Sequence, residues 1–316
     1  MPKFDKRAGD VLVWALLLSA PFWLPHIGSY VELGSRVVIY ALAAMALNFL
    51  LGYTGVLSFG HAAYFGLGAY GTALTIKYLY PSTPVGMLAG IILGTAAAAL
   101  IGPMIVRLRG VYFAMCTIAF GQVFYFIAFQ WFSLTGGDDG VSAWHRVPLD
   151  FGFASLDILN NNKAFYYFAL AIFAICAAAM AFVLRSPFGR TLVAIRENER
   201  RARFLGIPVD RHIWMSWVIS CFFVSVAGTL FALMNDFVDP RALRWDQSGN
   251  FVIMAVLGGM RSFWGPLIGS AIFLVLEDYI SSETQNWMSF IGLFFVLVVL
   301  FFPRGVLGII RRKATS

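Results

Sequence analysis

The sequence predicts an all-α polytopic membrane protein with eight to ten membrane helices, some of them broken or re-entrant. Of the 316 residues, 60% are hydrophobic and only 12% are charged, and the mean hydropathy is +0.78. Soluble domains are about 45–50% apolar and about 25% charged. Because so few charges cannot cover a globule of this size, most of the surface must face lipid rather than water.

The apolar runs favour helices over a membrane β-barrel. Barrel strands alternate apolar and polar residues in segments of about ten. The run "AFYYFALAIFAICAAAMAFVL", Ala164 to Leu184, shows no such alternation. At a rise of about 1.5 Å per residue, a helix of this length reaches about 31 Å, which is enough to cross the hydrocarbon core.

Apolar runs recur along the whole chain and define the predicted elements in order. The run at 250–260 is too short to cross alone, so it predicts a half-helix or a re-entrant segment. The predicted elements are 10–27, 36–51, 58–79, 84–106, 111–133, 164–184, 213–234, 250–260, 265–280 and 287–302.

The distribution of charge predicts the orientation in the membrane. Lysine and arginine lie before the first element, after the fourth, in the loop 185–212 and at the C-terminus. With ten elements, all these segments fall on one side, which the positive-inside rule places in the cytoplasm together with both termini. The net charge of +7 is therefore a topology signal, and no soluble basic domain supports nucleic-acid binding.

Several classes of chemistry are excluded by what the sequence lacks. Cys116, Cys176 and Cys221 all lie in apolar runs without ligand spacing, so no metal site is predicted. The chain has no GxxxxGK[ST] motif and therefore no predicted nucleotide site of its own. No nucleophile–base pair is evident, and no catalytic residue or enzyme activity is predicted. No ionisable residue in mid-span has an evident partner, which gives proton coupling little support.

The loop 185–212 predicts a short amphipathic helix. Pro187 and Gly189 mark its start, and Gly206 with Pro208 marks its end. Apolar groups recur every three or four residues between them, and arginines occupy the other faces. One interpretation is a helix lying on anionic lipid. The other is a helix that docks into a soluble protein, which Glu197 and Glu199 favour because acidic residues gain nothing on lipid.

The stretch "GYTGVLSFGHAAYFGLGAYG", Gly52 to Gly71, is unusually rich in glycine for an apolar run. Gly52–Gly55 predicts a turn-like break after Leu51, and Ser58 predicts the N-cap of a helix that begins at Phe59. Broken backbone at membrane depth offers free N–H and C=O groups to a solute. The candidate pathway residues are Thr54, Ser58, His61 and Gln122. The alternative is an ordinary connecting turn with a packing histidine.

The loop 134–163 carries the sequence "TGGDDG", Thr135 to Gly140. Its adjacent carboxylates do not follow the alternating ligand pattern of an EF-hand. Asp138 and Asp139 are either residues of a solvated turn or contacts for a delivered binding protein.

The segment "RENERRARFLGI", Arg196 to Ile207, ends in Ala-x-x-x-Gly and looks like the coupling segment of ABC importer permeases. The usual Glu-Ala-Ala opening is replaced here by Arg200, Arg201 and Ala202. With "ALNFLLGYTGVLSFGHAAYFGLGAY", "LRGVYFAMCTIAFGQ", "LTGGDDG" and "VLGGMRSFWGPLIGSA", the chain resembles the branched-chain amino acid permease family over roughly 34–310. It is more similar to the larger of the two paired permease subunits.

This resemblance implies one transmembrane permease domain over 1–316, with an outer loop at 134–163 and a cytoplasmic coupling loop at 185–212. It implies a bacterial inner-membrane subunit that imports leucine, isoleucine, valine or related solutes and binds no cofactor. The implied partners are a homologous permease, two ATPase subunits that use ATP, a periplasmic or extracellular solute-binding protein and membrane lipid. The residues implied to contact the ATPase are Arg196, Glu197, Glu199, Arg200, Arg201, Ala202 and Gly206. The alternatives are a permease for urea or short amides, and a secondary transporter or channel that works alone.

Overall fold

The computed structural model describes residues 6–27, 30–142, 149–150, 155–156, 161–260, 262–284, 286–301 and 305. Its helices are α1 (Lys6–Trp23), α2 (Val31–Asn48), α3 (His61–Leu74), α4 (Thr83–Ile105), α5 (Val111–Gln130), α6 (Phe132–Thr135), α7 (Asn162–Arg185), α8 (Pro187–Glu197), α9 (Glu199–Phe204), α10 (Val209–Asn235), α11 (Trp245–Gly258), α12 (Gly265–Glu283) and α13 (Trp287–Phe301). Its strands are β1 (Val141–Ser142), β2 (Leu149–Asp150), β3 (Ser155–Leu156) and β4 (Phe237–Val238).

The predicted fold class is confirmed, because a helix lies at each of the ten predicted elements. Five described helices are long and apolar enough to cross a membrane: Val31–Thr54, Thr83–Ile105, Val111–Gln130, Asn162–Arg185 and Val209–Asn235. The predicted short element is α11, whose 14 residues reach about 21 Å, less than the hydrocarbon thickness of about 30 Å.

The centre of the bundle is formed by α2, α3 and α10, with α4, α7 and α12 packed around them. Glycines bring α3 and α10 into backbone contact, as small residues do between membrane helices. A methyl group added to Gly228 of α10 would lie 1.9 Å from the carbonyl oxygen of Phe65. One added to Gly68 of α3 would lie 2.4 Å from that of Ser225. Gly68 and Gly228 therefore allow the close approach of α3 and α10.

The break predicted after Leu51 is wrong by three residues. The helix α2 continues as a π-helix through Phe49–Thr54 and ends at Gly55, which takes the left-handed conformation with φ +80°. Gly52 lies against neighbouring backbone, since an added methyl group would lie 2.2 Å from the carbonyl oxygen of Met260.

Ser58 is not the N-cap of the next helix. That helix, α3, begins at His61, and Gly60 occupies the N-cap position. The Ser58 hydroxyl instead accepts a hydrogen bond from the Gly60 N–H at 3.2 Å.

The single helix predicted in the loop 185–212 is two helices, α8 and α9, separated by Asn198. Extended backbone at Asn198 (φ −159°) interrupts the helix, and its side chain accepts a hydrogen bond from the Arg201 N–H at 2.9 Å. Asn198 is thus the N-cap of α9, which begins as a separate helix after this interruption. We call the end of the molecule formed by residues 106–110 and 186–209 the basic end.

The opposite end, which we call the acidic end, is formed by residues 136–142 and 236–246. There β1 pairs with β4 in antiparallel fashion, with Val141 opposite Val238. Lys77, at the end of the π-helix that extends α3 over Thr75–Leu79, donates a hydrogen bond to the Ser142 carbonyl at 3.1 Å. The strand pairing joins the predicted outer loop to the segment that follows α10. Most of the rest of that loop, 143–148, 151–154 and 157–160, lies outside the described residues.

Candidate functional site

A small hydrophobic core fixes α8 and α9 to the ends of the long helices at the basic end. It contains Val106, Ile195, Ala202, Val209 and Ile213, each at most 4% exposed. These residues come from the end of α4, from α8, from α9 and from the start of α10. The two short helices are therefore packed onto the bundle and do not hang from a flexible loop.

An ion-pair cluster supports this attachment. Arg109 lies between α4 and α5 and donates from Nε to Glu199 Oε1 at 2.7 Å and from Nη2 to Asp210. Arg203 of α9 donates to Glu199 and to Asp210, both at 3.0 Å. Burial alone would lower the pKa of Arg109, but hydrogen bonds to Glu199 and Asp210 outweigh it, so the pKa is raised. The four side chains tie α9 to two neighbouring segments.

Arg196, the next-to-last residue of α8, links the two short helices to the bundle's interior. Its Nη1 donates to the carbonyl oxygen of Gly52, in the π-helix that extends α2, and its Nη2 donates to Glu197 at 2.6 Å. The stem of Arg196 also packs on Gly55, where an added methyl group would lie 2.6 Å from Cγ.

The Ala-x-x-x-Gly spacing forms a Schellman turn at the end of α9. The Ile207 N–H donates to the Ala202 carbonyl at 3.1 Å, and the Gly206 N–H donates to the Arg203 carbonyl at 3.0 Å. This pattern requires a left-handed residue after the helix, and Gly206 has φ +79°. Ala202 and Ile207 both pack on the basic-end core, as the hydrophobic contact of this motif requires.

The face of α9 opposite the basic-end core is exposed. Phe204 is 90% exposed and Leu205 is 75% exposed, beside the exposed Arg200 and Arg201. These two large apolar side chains are adjacent and lie on a firmly anchored turn. Among the described residues, no other side chain covers them. We call Phe204 and Leu205 the apolar tip.

The predicted coupling residues fall into two groups. Arg196, Glu199 and Ala202 make the internal contacts described above, whereas Glu197, Arg200, Arg201 and Gly206 are exposed. The sequence analysis missed Arg109, which pairs with both Glu199 and Asp210. Phe204 and Leu205, at the end of α9, lie off its buried face.

His61 lies at the centre of the bundle in a chain of hydrogen bonds that joins three helices. Its Nδ1 is 2.9 Å from Ser58 Oγ, and its Nε2 is 2.8 Å from Ser220 Oγ of α10. Ser220 donates in turn to the Ala46 carbonyl of α2 at 2.5 Å. The imidazole is fully buried and packs edge-on against Trp217, with ring centroids 5.2 Å apart.

The donors and acceptors of this chain determine where the protons lie. Because a carbonyl oxygen only accepts, Ser220 must donate to Ala46, so its oxygen accepts from the His61 Nε2–H. A neutral imidazole then has Nδ1 free to accept from the Ser58 hydroxyl, whose oxygen accepts from the Gly60 N–H. Every N–H and O–H group in this series of hydrogen bonds has an acceptor, so neutral His61 has all its hydrogen bonds without a solute.

The first turn of α3 is capped by side chains of other helices. The Phe59 N–H donates to Thr117 Oγ1 of α5 at 3.2 Å, and the Ala62 N–H donates to Ser248 Oγ of α11 at 2.7 Å. Helix starts leave four N–H groups without internal partners. Here neighbouring helices supply acceptors, so this break is a junction between helices and not an open solute site in the conformation described.

The other predicted pathway residues lie elsewhere. Thr54 is 2% exposed at the end of the π-helix, and its hydroxyl has no hydrogen-bond partner among the described residues. Gln122 lies on α5, and its buried Nε2 is also without a partner in that part of the chain. The structure thus brings Ser58 and His61 together but joins neither Thr54 nor Gln122 to them. The pathway role of all four stays a prediction.

At the acidic end, Asp138 and Asp139 are both exposed in a single turn of 3₁₀-helix, Gly137–Asp139. Partial burial raises the pKa of the nearby Asp239 carboxyl, and Arg241 offsets part of this effect. Within the described residues, no group of three or more His, Cys, Asp or Glu side chains could hold a metal ion.

The structure also contains an ion pair within membrane helices that the sequence analysis did not find. Arg36 Nη2 of α2 lies 3.3 Å from Glu277 Oε1 of α12. Arg36 lies near the start of α2 and Glu277 near the end of α12, so this pair does not test the expectation about mid-span residues. The two residues are 241 positions apart, and only the fold shows that their helices pack together.

Taken together, a bundle of long apolar helices with short charged helices at one end defines a polytopic membrane protein. The family model for the permease component of branched-chain amino acid transport systems matches residues 29–300. The chain belongs to this family, and it is a permease component of a transport system rather than an enzyme.

The most informative relatives come from two paired permeases. The high-affinity branched-chain amino acid transport system permease protein LivM of Salmonella typhimurium is 28% identical over 342 positions, which cover 98% of this chain and 79% of that protein. LivH of Escherichia coli is 27% identical over 314 positions, covering 91% of this chain and 96% of that protein. That both LivM and LivH match implies a partner permease for this chain. No solved structure matches it.

Proposed function

We propose that the chain is a permease subunit of an ATP-driven importer that moves leucine, isoleucine, valine or related small solutes into the cell. The apolar tip carries this proposal. Phe204 and Leu205 are 90% and 75% exposed on a helix whose other face is fixed by the basic-end core and by Arg109. An apolar patch held this firmly in water marks a protein interface.

The anchoring favours a force-bearing contact over a lipid contact. A lipid-bound helix needs a continuous apolar face along its length, but Leu192, Ile195 and Ala202 are already buried in this chain. Only the apolar tip is left as exposed apolar surface on α9. Such a surface fits a groove on a separate ATPase subunit. A push on the tip reaches α2 through Arg196 and α10 through Asp210.

The proposal includes the rest of the assembly. One transmembrane permease domain spans 1–316, with its outer loop at 134–163 and its coupling loop at 185–212. The basic end and both termini face the cytoplasm, and the protein lies in a bacterial inner membrane among its lipids. Asp138 and Asp139 contact a solute-binding protein at the acidic end. Two ATPase subunits use the ATP, and this chain binds no cofactor.

The substrate class rests on the relatives, whose names specify branched-chain amino acid transport. A permease for urea or short amides is the alternative within the same architecture. A secondary transporter or channel that works alone is the alternative outside it.

Reconstitution in proteoliposomes tests the proposal. The permease pair, its ATPases and its binding protein are expected to accumulate radiolabelled leucine only when ATP is present at the ATPase side. Phe204→Ser/Leu205→Ser should reduce ATP-dependent uptake at least ten-fold and release the ATPases during purification.

Phe182→Ala is the matched control for the tip, because Phe182 is 78% exposed on α7 but lies outside α8 and α9. It should leave uptake and assembly unchanged. Leucine flux through this chain without ATPases would support the stand-alone transporter and would contradict the proposal. Full uptake by the double serine variant would show that transport does not need the apolar tip.

A further inference from the structure

We propose that Arg36 and Glu277 form a binding site for the two charged ends of a zwitterionic α-amino acid. This inference deepens the proposed function, on which it rests for the solute class. Arg36 would hold the carboxylate and Glu277 the ammonium group.

The depth of the pair is the first observation. The π-helix at the end of α2 contacts Arg196 at the basic end, so the start of α2 points to the acidic end. Arg36 lies five residues after Val31, which is about 7.5 Å along the helix axis. Charged residues inside membrane spans are costly and mark solute or ion sites. A pair at this depth is accessible from the acidic end.

The open geometry of the pair is the second observation. Arginine and a carboxylate frequently form two parallel hydrogen bonds. Here one contact of 3.3 Å joins Nη2 to Oε1, and the side chains keep 31% and 17% of their surface exposed. Among the described residues, part of the guanidinium's five N–H donors is left for another acceptor. Exposed charge at this position must face water, a polar ligand or a polar group of the partner permease, because lipid cannot solvate it.

The surroundings provide the apolar wall that a hydrophobic amino acid needs. The guanidinium carbon of Arg36 lies 5.7 Å from the centre of the Tyr40 ring. The Tyr40 ring contacts Phe231 and Phe251, with centroids 6.1 Å and 5.9 Å away. The charged pair therefore borders a layer of aromatic side chains on its inner side. This order of groups matches a solute with two charges at one end and a hydrocarbon side chain at the other.

A neighbouring hydrogen bond holds the rim of the site. Tyr30, just before α2, donates from its hydroxyl to Asp278 Oδ1 at 2.7 Å. Burial, followed by this hydrogen bond, raises the pKa of Tyr30, so the hydroxyl keeps its proton. Asp278 is thereby occupied, and Glu277 is the acidic residue that faces Arg36.

Equilibrium binding to the assembled complex, without ATP and without the binding protein, tests the site separately from transport. The probes are L-leucine, 3-methylbutylamine, which lacks the carboxylate, and 4-methylpentanoate, which lacks the ammonium group. We expect leucine to bind at least ten-fold more tightly than either singly charged probe. Equal affinity for the three probes would overturn the proposal.

The double variant Arg36→Gln/Glu277→Gln separates a binding role from a structural one. Removing both charges of an ion pair leaves no unpaired charge, so a purely structural pair can be replaced with little loss of stability. We expect a complex that assembles but binds leucine at least ten-fold more weakly. Leucine affinity equal to that of the unchanged complex would overturn the proposal.

Arg244→Gln/Asp246→Asn is the matched control, since this pair has a 3.1 Å contact at the acidic end and should leave leucine binding unchanged. If the double glutamine variant does not assemble, Glu277→Asp keeps both charges but withdraws the carboxylate, and it should still weaken leucine binding. Unchanged affinity in Glu277→Asp would then contradict the site. Leucine binding without ATP-driven uptake would contradict the proposed function alone.

Discussion

His61 shows how one side chain joins three helices at the centre of the bundle. Its two ring nitrogens connect Ser58 to Ser220, and Ser220 reaches the backbone of α2. A hydrogen bond is worth about 1 kcal/mol net, but a buried polar group left without a partner costs about 1–3 kcal/mol. The network therefore matters more when it is broken than its individual bonds suggest.

Ser220→Ala tests this network. The substitution leaves the His61 Nε2–H without its acceptor in a fully buried place, so we expect a loss of about 1–3 kcal/mol in stability. Thermal unfolding of the detergent-solubilised protein measures it. Ser216→Ala is the control, because Ser216 is equally buried on α10 but donates only to Ile213 within its own helix. Equal losses in the two variants would contradict the role assigned to His61.

Two glycines offer a second test at this scale. Gly228→Ala places a methyl group 1.9 Å from the Phe65 carbonyl, whereas nothing lies within 4 Å of one added at Gly249. We expect Gly228→Ala to separate α3 from α10 and to lower the yield of folded protein sharply. Gly249→Ala in α11 should be neutral or stabilising by up to about 1 kcal/mol, because alanine favours helix. Size-exclusion profiles and melting temperatures distinguish the two.

At the scale of elements, α9 depends on contacts outside itself. Six residues are too few for a stable isolated helix. Asn198 caps its start, the Schellman turn closes its end, and Arg109 holds its acidic residue. These contacts keep the apolar tip in one orientation, which a force-transmitting contact needs.

Arg109→Gln should loosen α9 without removing any part of the tip. The variant loses the charged contacts to Glu199 and Asp210, so we expect faster hydrogen exchange and faster trypsin cleavage at 199–206. Arg190→Gln, an exposed change on α8, is the control. Unchanged exchange in Arg109→Gln would show that the basic-end core alone fixes the helix.

At the scale of the whole molecule, the two ends differ in charge and in structure. Labelling of introduced cysteines tests their orientation in a Cys116→Ala background, in which the remaining Cys176 and Cys221 are buried. A cysteine at position 204 should react with a membrane-impermeant maleimide only from the cytoplasmic side, and one at position 138 only from the outside. Labelling of both positions from one side would contradict the proposed topology.

Much of the fold could be predicted because apolar length is a property of continuous sequence. All ten predicted elements contain a helix, and α11 was recognised as too short from its run alone. The contacts Arg36–Glu277, His61–Ser220 and Glu199–Arg109 could not be predicted, since each joins segments distant in sequence. The π-helix after Asn48 was missed, and the close approach of the Met260 carbonyl to Gly52 likewise joins segments distant in sequence.

The length of α10 has a mechanical consequence. Its 27 residues form a rod of about 40 Å that begins beside α9 and ends just before β4. His61 forms a hydrogen bond to Ser220, which lies less than halfway along this helix. A stiff rod that turns about an inner point is a lever, so a displacement of the nearer end, beside α9, would swing the end beside β4 the opposite way and by a larger distance. We expect spin labels at the two ends of α10 to move in opposite directions when nucleotide is added to the full complex. Displacement of both ends in the same direction would rule out His61 as the pivot.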